Sequence, residues 1–158
     1  MLKSPEATQL LTGGLGGLGL LTAQTLVDMG ARSILLVSRK GCVASGETTL
    51  EEMLRKLEQS PADIHAWSCD VSSAEKVHGL VERVQRELPE HALGGIVHAA
   101  GILDYADLSS QTSERMAAVF RAKVSGAWNL HEETKSASLE SFVLFSSISA
   151  LIGLSRGT

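Results

Sequence analysis

Apolar residues along the chain follow two alternating patterns. Five short apolar runs predict strands, at residues 7–11, 33–37, 64–68, 95–98 and 141–145. The unbroken run at 33–37 is typical of a parallel strand that is buried on both faces. Between the strands, apolar residues recur at intervals of three and four, which predicts amphipathic helices carrying Leu50, Met53, Leu54 and Leu57, and then Val77, Leu80, Val81, Val84 and Leu88. Strands that alternate with helices predict an α/β domain with a parallel sheet.

Several residues mark where the helices begin and end. A first helix is predicted over residues 17–29, and the glycine that follows it, Gly30, is typical of a helix C-terminus. Ser72 and Glu75 form a capping-box pattern, which predicts the start of the third helix. The last predicted segments are a long helix over residues 112–134 and a loop over residues 148–158.

A glycine-rich turn joins the first strand to the first helix. Three of its glycines fit the G-x-G-x-x-G pattern, in which glycine permits a tight turn, close approach of a pyrophosphate, and packing of helix on strand. The free N–H groups of the helix N-terminus then favour phosphate. The flanking strand and helix patterns disfavour a flexible linker, so the turn predicts a dinucleotide-binding site formed by Thr12, Gly13, Gly14, Leu15, Gly16, Gly17, Leu18 and Gly19.

This turn and the alternating elements predict a Rossmann-type, doubly wound parallel sheet with strand order 3-2-1-4-5. The whole of residues 1–158 then forms one NADP(H)-binding domain. Ligands of such sheets bind beyond the carboxyl ends of the strands. The segments that follow the other four strands are therefore candidates for the same site, and they contain Ser38 and Arg39, Asp70 and Val71, Ala99, Ala100 and Gly101, and Ser146 and Ser147.

The residues after the second strand predict which dinucleotide binds. Arg39 lies twenty residues after Gly19, where an acidic residue would select NAD. A guanidinium instead offers a planar fork to a 2′-phosphate, and the Ser38 hydroxyl adds a donor, so the cofactor is predicted to be NADPH. The alternative is a basic strand end that is merely solvated. Asp70 either accepts a hydrogen bond from the adenine amino group or belongs to the turn that enters a helix.

Two further residues are candidates for catalysis. Met116, Val119, Phe120 and Val124 predict the buried stripe of the long helix, and Lys123 lies on or beside this stripe. An inward-facing lysine is unfavourable unless it is paired or lies at a site; alternatively its stem packs and its ammonium reaches water. Ser147, at the end of the fifth strand, either holds a substrate carbonyl or is a helix-cap or loop serine.

Composition excludes several classes of function. A net charge of −4 with 44% hydrophobic and 20% charged residues is typical of a soluble globular domain and gives no indication of nucleic-acid or anionic-membrane binding. No run reaches transmembrane length and residues 1–5 do not resemble a signal peptide, so a cytoplasmic location is expected. The two cysteines and five histidines show no ligand spacing, so no metal site is predicted.

Taken together, these segments resemble the ketoreductase domains of polyketide synthases and fatty-acid megasynthases, which belong to the short-chain dehydrogenase superfamily. The resemblance extends over about residues 7–153. Residues 123–131 are similar to the megasynthase ketoreductases in particular, because most short-chain dehydrogenases have asparagine where Lys123 stands. The segments that carry it are residues 12–19, 36–39, 69–71, 97–101, 123–131 and 142–147.

The resemblance implies a reaction and roles for two residues. NADPH would deliver hydride to the β-ketone of an acyl chain carried on an acyl carrier protein. Ser147 would orient the carbonyl, and Lys123 would support a catalytic tyrosine. In the family that tyrosine lies thirteen residues after the serine, which corresponds to position 160, beyond Thr158.

The resemblance also leaves two functions open. The chain is expected to be the N-terminal part of a ketoreductase catalytic subdomain within a larger megasynthase, inactive alone, with the other synthase domains as partners. The alternative is a non-catalytic NADP(H)-binding module, either a pseudo-ketoreductase or a redox sensor. A stand-alone short-chain dehydrogenase is disfavoured by Lys123.

Overall fold

Five parallel strands form one sheet in the computed structural model, which describes residues 2–153. The strands are β1 (Thr8–Thr12), β2 (Ser33–Ser38), β3 (Asp63–Ser68), β4 (Leu93–His98) and β5 (Ser141–Leu144). The helices are α1 (Gly17–Asp28), α2 (Thr48–Glu58), α3 (Ala74–Glu87), α4 (Ser113–Phe120), α5 (Gly126–Thr134) and α6 (Ser149–Ile152). The strand order is β3-β2-β1-β4-β5, which confirms the predicted Rossmann-type topology.

The central strand β1 shows why the apolar runs are unbroken. Leu10 of β1 pairs with Leu35 of β2 on one side and with Ile96 of β4 on the other, and all three side chains are fully buried. Successive side chains of a strand point to opposite faces. One face therefore packs against α3 and α5 through residues such as Val77 and Leu130, while the other packs against α1 and α2.

The end of α1 agrees with its predicted glycine. Gly30 has a φ of +101°, a left-handed conformation that glycine adopts without steric strain. Its N–H donates to the Val27 carbonyl at 2.8 Å, and the Ala31 N–H donates to the Leu26 carbonyl at 2.9 Å. This pair of bonds is the Schellman arrangement, which satisfies carbonyls that the helix end leaves without partners.

The predicted capping box of α3 is wrong by one residue. Ser73, not Ser72, is the N-cap, and its hydroxyl accepts the Lys76 N–H at 3.3 Å. The hydroxyl of Ser72 is engaged elsewhere, because it donates to the Asp70 carboxylate at 2.8 Å. The residue three positions after the true cap is therefore Lys76 rather than a glutamate, so no reciprocal bond forms.

The long helix has the predicted extent but not the predicted buried face. It runs from α4 through a π-helical turn, Arg121–Ser125, into α5. Met116, Phe120 and Val124 are 48%, 53% and 57% exposed and Val119 is half-buried, so the predicted buried stripe is wrong. The buried positions of α5 are instead Gly126, Leu130 and Thr134.

Two further details concern the C-terminal part of the chain. Residues 149–152 form the short helix α6, where the sequence pattern predicted a loop. The rest of that predicted loop, residues 154–158, lies outside the described residues. β5 pairs only with β4 among the described strands and so forms one edge of the sheet.

We expect Gly19→Ala to destabilise the fold strongly, whereas Gly17→Ala is a matched control. A β-carbon at Gly19 would overlap the Gly13 carbonyl oxygen and lie 2.6 Å from the Gly14 Cα, and both are backbone atoms. Overpacking of this kind costs about 1–3 kcal/mol. A β-carbon at Gly17 meets only a leucine methyl at 3.9 Å. Urea denaturation followed by circular dichroism measures both; equal midpoints for the two variants would contradict the packing argument.

Candidate active site

The carboxyl ends of β1 to β4 surround a cleft of about 1010 Å³. It lies where the strand order reverses, which is where ligands of open α/β sheets bind. Four of the five predicted segments contribute to its wall. Of the residues predicted to bind the cofactor, those that line the cleft are Thr12, Gly13, Leu15, Gly16, Gly17, Leu18, Gly19, Ser38, Arg39, Asp70, Val71, Ala99, Ala100 and Gly101.

Three glycines of the turn are required by the protein's own packing. Gly13 has a φ of +67°, and a β-carbon there would lie 2.9 Å from backbone atoms of Ala99 and Ala100. Gly14 lies beneath the turn, since a β-carbon there would be 2.6 Å from the Leu11 carbonyl oxygen. Gly14 is therefore a packing residue behind the cleft wall, and Gly19 has the same role at the start of α1.

The two remaining glycines face open space. A β-carbon on Gly16 would meet only the Gly13 carbonyl oxygen, at 3.4 Å, and Gly17 is similarly unconstrained. The first turn of α1 contains no acidic residue, and Gly16 provides no side-chain cap for its N–H groups. A helix N-terminus without a side-chain cap, next to backbone that no side chain covers, fits a pyrophosphate. The phosphate oxygens can approach closely and accept hydrogen bonds from the N–H groups.

Arg39 lies at the end of β2, where its exposed side chain lines the cleft. Its backbone is held in place, because the Ser68 hydroxyl donates to the Arg39 carbonyl at 2.8 Å. The Ser38 hydroxyl accepts the Gly41 N–H at 3.0 Å. The guanidinium is thus an exposed cation on a fixed strand end, beside the space that an anionic group of a ligand would occupy.

Asp70 has the turn role that was weighed against adenine binding, and it also lines the cleft. One of its carboxylate oxygens accepts from the Ser72 hydroxyl at 2.8 Å and from the Ser72 N–H at 3.1 Å. These hydrogen bonds, that from the hydroxyl most of all, lower the pKa of Asp70, so it is ionised at neutral pH. The neighbouring Val71 carbonyl accepts from the Asn129 side chain at 2.9 Å, which ties this wall to α5.

Lys123 belongs to the π-helical turn and lies beside the cleft rather than inside the core. Its side chain is exposed, and its stem packs over Gly101, where a β-carbon would be 3.0 Å from the Lys123 Cε. The stem is packed and the ammonium reaches solvent, as in the alternative weighed for this residue. Because Gly101 has no side chain, the stem of Lys123 has room to pack against the cleft wall at this position.

Ser147 is exposed beyond the end of β5. Its hydroxyl oxygen is 2.6 Å from that of Ser149, and it accepts the Ser149 N–H at 3.2 Å. Ser147 thus lies in the loop just before α6, whose N-cap is Ile148, and its hydroxyl contacts the first turn of that helix. Among the described residues that line the cleft, neither Lys123 nor Ser147 appears, although Lys123 touches it through Gly101.

Sequence reasoning missed two residues of this region. Arg121 lines the cleft from the π-helical turn, and its position could not be read from a helical spacing that the turn interrupts. His98, at the end of β4, is 4% exposed and lies between Thr12 and the backbone of Lys123. Burial lowers the pKa of His98, so the imidazole is neutral at pH 7. The signal for His98 was a polar residue within an otherwise apolar strand.

The described part of the chain lacks two features. Within residues 2–153, no group of three or more histidine, cysteine or acidic side chains could hold a metal ion. Over the same residues, every helix is too short or too polar to span a bilayer.

Comparison with known proteins identifies the family. The family model described as KR domain matches residues 7–157. The chain belongs to the KR domain family. This is the ketoreductase family of oxidoreductases, and its fold binds a nicotinamide dinucleotide.

Polyketide synthases are among the proteins to which this ketoreductase chain is similar. It is 41% identical over 149 residues to the phenolphthiocerol synthesis polyketide synthase type I Pks15/1 of Mycobacterium marinum, covering 94% of the chain and 7% of the synthase. It is 43% identical over 150 residues to the spectinabilin polyketide synthase system protein NorB of Streptomyces orinoci, with the same two coverages. The chain therefore spans less than a tenth of the length of these relatives.

A solved structure agrees with the family. The ketoreductase domain from the bacillaene assembly line has a TM-score of 0.86 and 31% sequence identity to this chain. The match covers 99% of this chain and 38% of the solved one. The described ketoreductase sheet and its cleft are thus a part of a larger architecture in that protein.

We expect Gly16→Ala to weaken dinucleotide binding while leaving the fold intact. The new methyl group meets no protein atom closer than 3.4 Å, but it occupies the space through which a pyrophosphate approaches. The dissociation constant for NADPH is expected to rise roughly tenfold, which corresponds to about 1.4 kcal/mol. Fluorescence titration measures binding and the thermal midpoint controls for folding. Unchanged affinity would show that Gly16 does not face the ligand.

Proposed function

We propose that this chain takes part in the NADPH-dependent reduction of a β-ketoacyl thioester, carried on an acyl carrier protein, to the β-hydroxyacyl thioester. The product would serve polyketide or fatty-acid synthesis. One observation carries the proposal: the glycine turn, Arg39 and the Gly101 wall with Lys123 against it meet at a single cleft. The acyl carrier protein and the other domains of a megasynthase are the partners that the proposal requires.

The charge of the cleft supports a polyanionic cofactor. Among the described residues that line it, Arg39, Lys40 and Arg121 are cationic and Asp70 is acidic, although the chain as a whole carries a net charge of −4. A concave surface with an excess of one sign of charge concentrates ligands of the opposite sign. Because no carboxylate occurs in residues 39–46, directly after β2, a 2′-phosphate there would meet Arg39 without repulsion, which favours NADPH over NADH.

The roles of the side chains follow from the charge that develops during reduction. Bound NADPH supplies the hydride. Negative charge then develops on the substrate carbonyl oxygen, and preorganised donors lower the barrier most when they point to that oxygen. In this proposal the Lys123 ammonium stabilises the charge across the cleft wall, and Ser147 holds the carbonyl after turning its hydroxyl away from Ser149.

The proton donor is the element that this chain does not supply in the proposed mechanism. The only tyrosine of the sequence, Tyr105, is 63% exposed in the segment after β4. The resemblance to ketoreductases implies a tyrosine at position 160 of a longer chain. A positioned general acid typically contributes ~10²–10⁴-fold to the rate, so residues 1–158 would lack most of the activity.

The alternative is a module that binds NADP(H) without turnover. It is favoured by the hydrogen bond between Ser147 and the Ser149 N–H, which occupies the hydroxyl that the reductase needs. Both functions require the same cofactor cleft. They differ in whether a longer chain that contains this one catalyses reduction of the substrate.

Arg39→Ala is expected to reduce the preference for NADPH over NADH by roughly tenfold to a hundredfold. A hydrogen bond to a charged group is worth ~1.5–3 kcal/mol, and NADH lacks the phosphate that receives it. Titration of both cofactors against both proteins measures the ratio. Lys56→Ala is the matched control, because it removes one positive charge from α2, outside the cleft. An unchanged ratio in Arg39→Ala would contradict the 2′-phosphate assignment.

Residues 1–158 are expected to bind NADPH but to oxidise it at least about a hundredfold more slowly than a longer chain that continues past position 160 with the expected tyrosine. NADPH absorbance with one β-ketoacyl thioester measures the rate. The control is the longer chain with phenylalanine in place of that tyrosine, which should be as slow as residues 1–158. Equal rates for all three proteins would exclude the tyrosine as the proton donor. NADPH binding without substrate reduction by the longer chain would favour the non-catalytic binding module.

A further inference from the structure

His98 connects the nucleotide cleft to the turn that carries Lys123. We propose that His98 is a positioning residue: through the Lys123 carbonyl and the Thr12 hydroxyl, it fixes where the Lys123 side chain lies on the cleft wall. The inference rests on the proposed function in one respect only, the catalytic role of Lys123; the positioning itself is a statement about this chain.

The geometry places the imidazole between two separate elements. The Nδ1 atom of His98 is 2.7 Å from the Thr12 hydroxyl oxygen, at the end of β1 where the glycine turn begins. The Nε2 atom is 3.2 Å from the Lys123 carbonyl oxygen in the π-helical turn. The ring is 4% exposed, so water does not compete effectively for either contact.

The partners determine which nitrogen carries the proton. A carbonyl oxygen can only accept, so Nε2 is protonated and donates to Lys123. Nδ1 is then an acceptor, and the Thr12 hydroxyl donates a hydrogen bond to it. The Thr12 oxygen in turn accepts the Ala100 N–H at 3.2 Å. Burial keeps the ring neutral by lowering its pKa, which agrees with this assignment. One chain of hydrogen bonds therefore runs from the cleft wall through Thr12 and His98 to Lys123.

The turn is shaped to receive this contact. The Gly126 N–H points to the Arg121 carbonyl five residues back as well as to that of Lys123, so the regular α-helical ladder is interrupted here. A β-carbon on Gly126 would lie 3.0 Å from the His98 Cε1 and 2.9 Å from a Val71 methyl. The glycine thus allows the turn to approach the ring closely enough for the Nε2–H to reach the Lys123 carbonyl.

The consequence concerns the side chain of Lys123. Its stem lies on Gly101, three residues after His98 on the same segment. His98 therefore holds the backbone of the lysine against the wall over which its side chain passes. Displacement of a reacting group by about 1 Å costs roughly a hundredfold in rate, so a bond that fixes this backbone bears directly on the proposed reduction.

Two isosteric replacements separate the two contacts. The amide oxygen of asparagine reaches the position of Nδ1, so His98→Asn keeps an acceptor for Thr12 but loses the donor to Lys123. The amide nitrogen of glutamine reaches the position of Nε2, so His98→Gln keeps that donor and loses the Thr12 contact. A merely structural role would make the two variants equivalent in their effect on Lys123.

The first test uses nuclear magnetic resonance of residues 1–158 without cofactor. In the wild type and in His98→Gln, a nuclear Overhauser contact is expected between the Gly101 α-protons and the Lys123 side chain. In His98→Asn that contact should be lost, while the contacts of the β1–β2 pairing remain. Retention in both variants, loss in both, or unfolding of both would overturn the proposal.

The second test measures reduction by the longer chain with the expected tyrosine. His98→Asn should lower kcat roughly tenfold with a KM for NADPH within about twofold, and His98→Gln should restore most of kcat. Equal kcat in the two variants would overturn the positioning role. If the wild-type longer chain bound NADPH but did not turn over, the proposed function would fail, while the Overhauser test on residues 1–158 would still decide the role of His98.

Discussion

The contact between backbone atoms within the glycine turn is the constraint on which the site depends. Gly19 sits against the carbonyl oxygen of Gly13, and Gly14 sits against the strand residues Leu11 and Leu36. No side chain fits between these atoms, so the N-terminus of α1 is held directly over the end of β1. The short distance between Gly19 and the Gly13 carbonyl oxygen places the uncapped N–H groups of α1 at the cleft. Gly13 in turn packs against the backbone of Ala99 and Ala100, after β4.

A second constraint is polar and links the two halves of the site. Thr12 ends β1, and its hydroxyl contacts both the Ala100 N–H and the His98 ring. Thr12 thus lines the nucleotide cleft and is also connected, through the His98 ring, to the backbone of Lys123. A buried polar group is stabilising only when its hydrogen bonds are complete, and here the partners are arranged so that a neutral imidazole completes them. The buried imidazole is thus uncharged, whereas the charged residues that line the cleft are mainly cationic. The chain as a whole carries a net charge of −4.

Sequence reasoning predicted the features that depend on local backbone chemistry. The strand order follows from the glycine turn and from the alternation of strands with helices, and the end of α1 at Gly30 follows from a residue that tolerates positive φ. The buried face of the long helix was not predictable in the same way, because the spacing of Met116, Phe120 and Val124 identifies an apolar side without saying what covers it. The contacts of His98 depend on residues 86 positions before it and 25 after it. No local pattern contains such a relation.

The π-helical turn at Arg121–Ser125 has a further meaning for the helix that contains it. An added residue in an α-helix rotates everything beyond it by about 100°. Here the widened turn takes up such a rotation within five residues. The residues before the turn and those after it therefore do not share one regular helical spacing. The phase of α5 is set by the core through Leu130 and Thr134, which are buried. The Lys123 backbone is held within the turn itself by the His98 contact, so the lysine and the buried face of α5 do not have to follow one regular helical spacing.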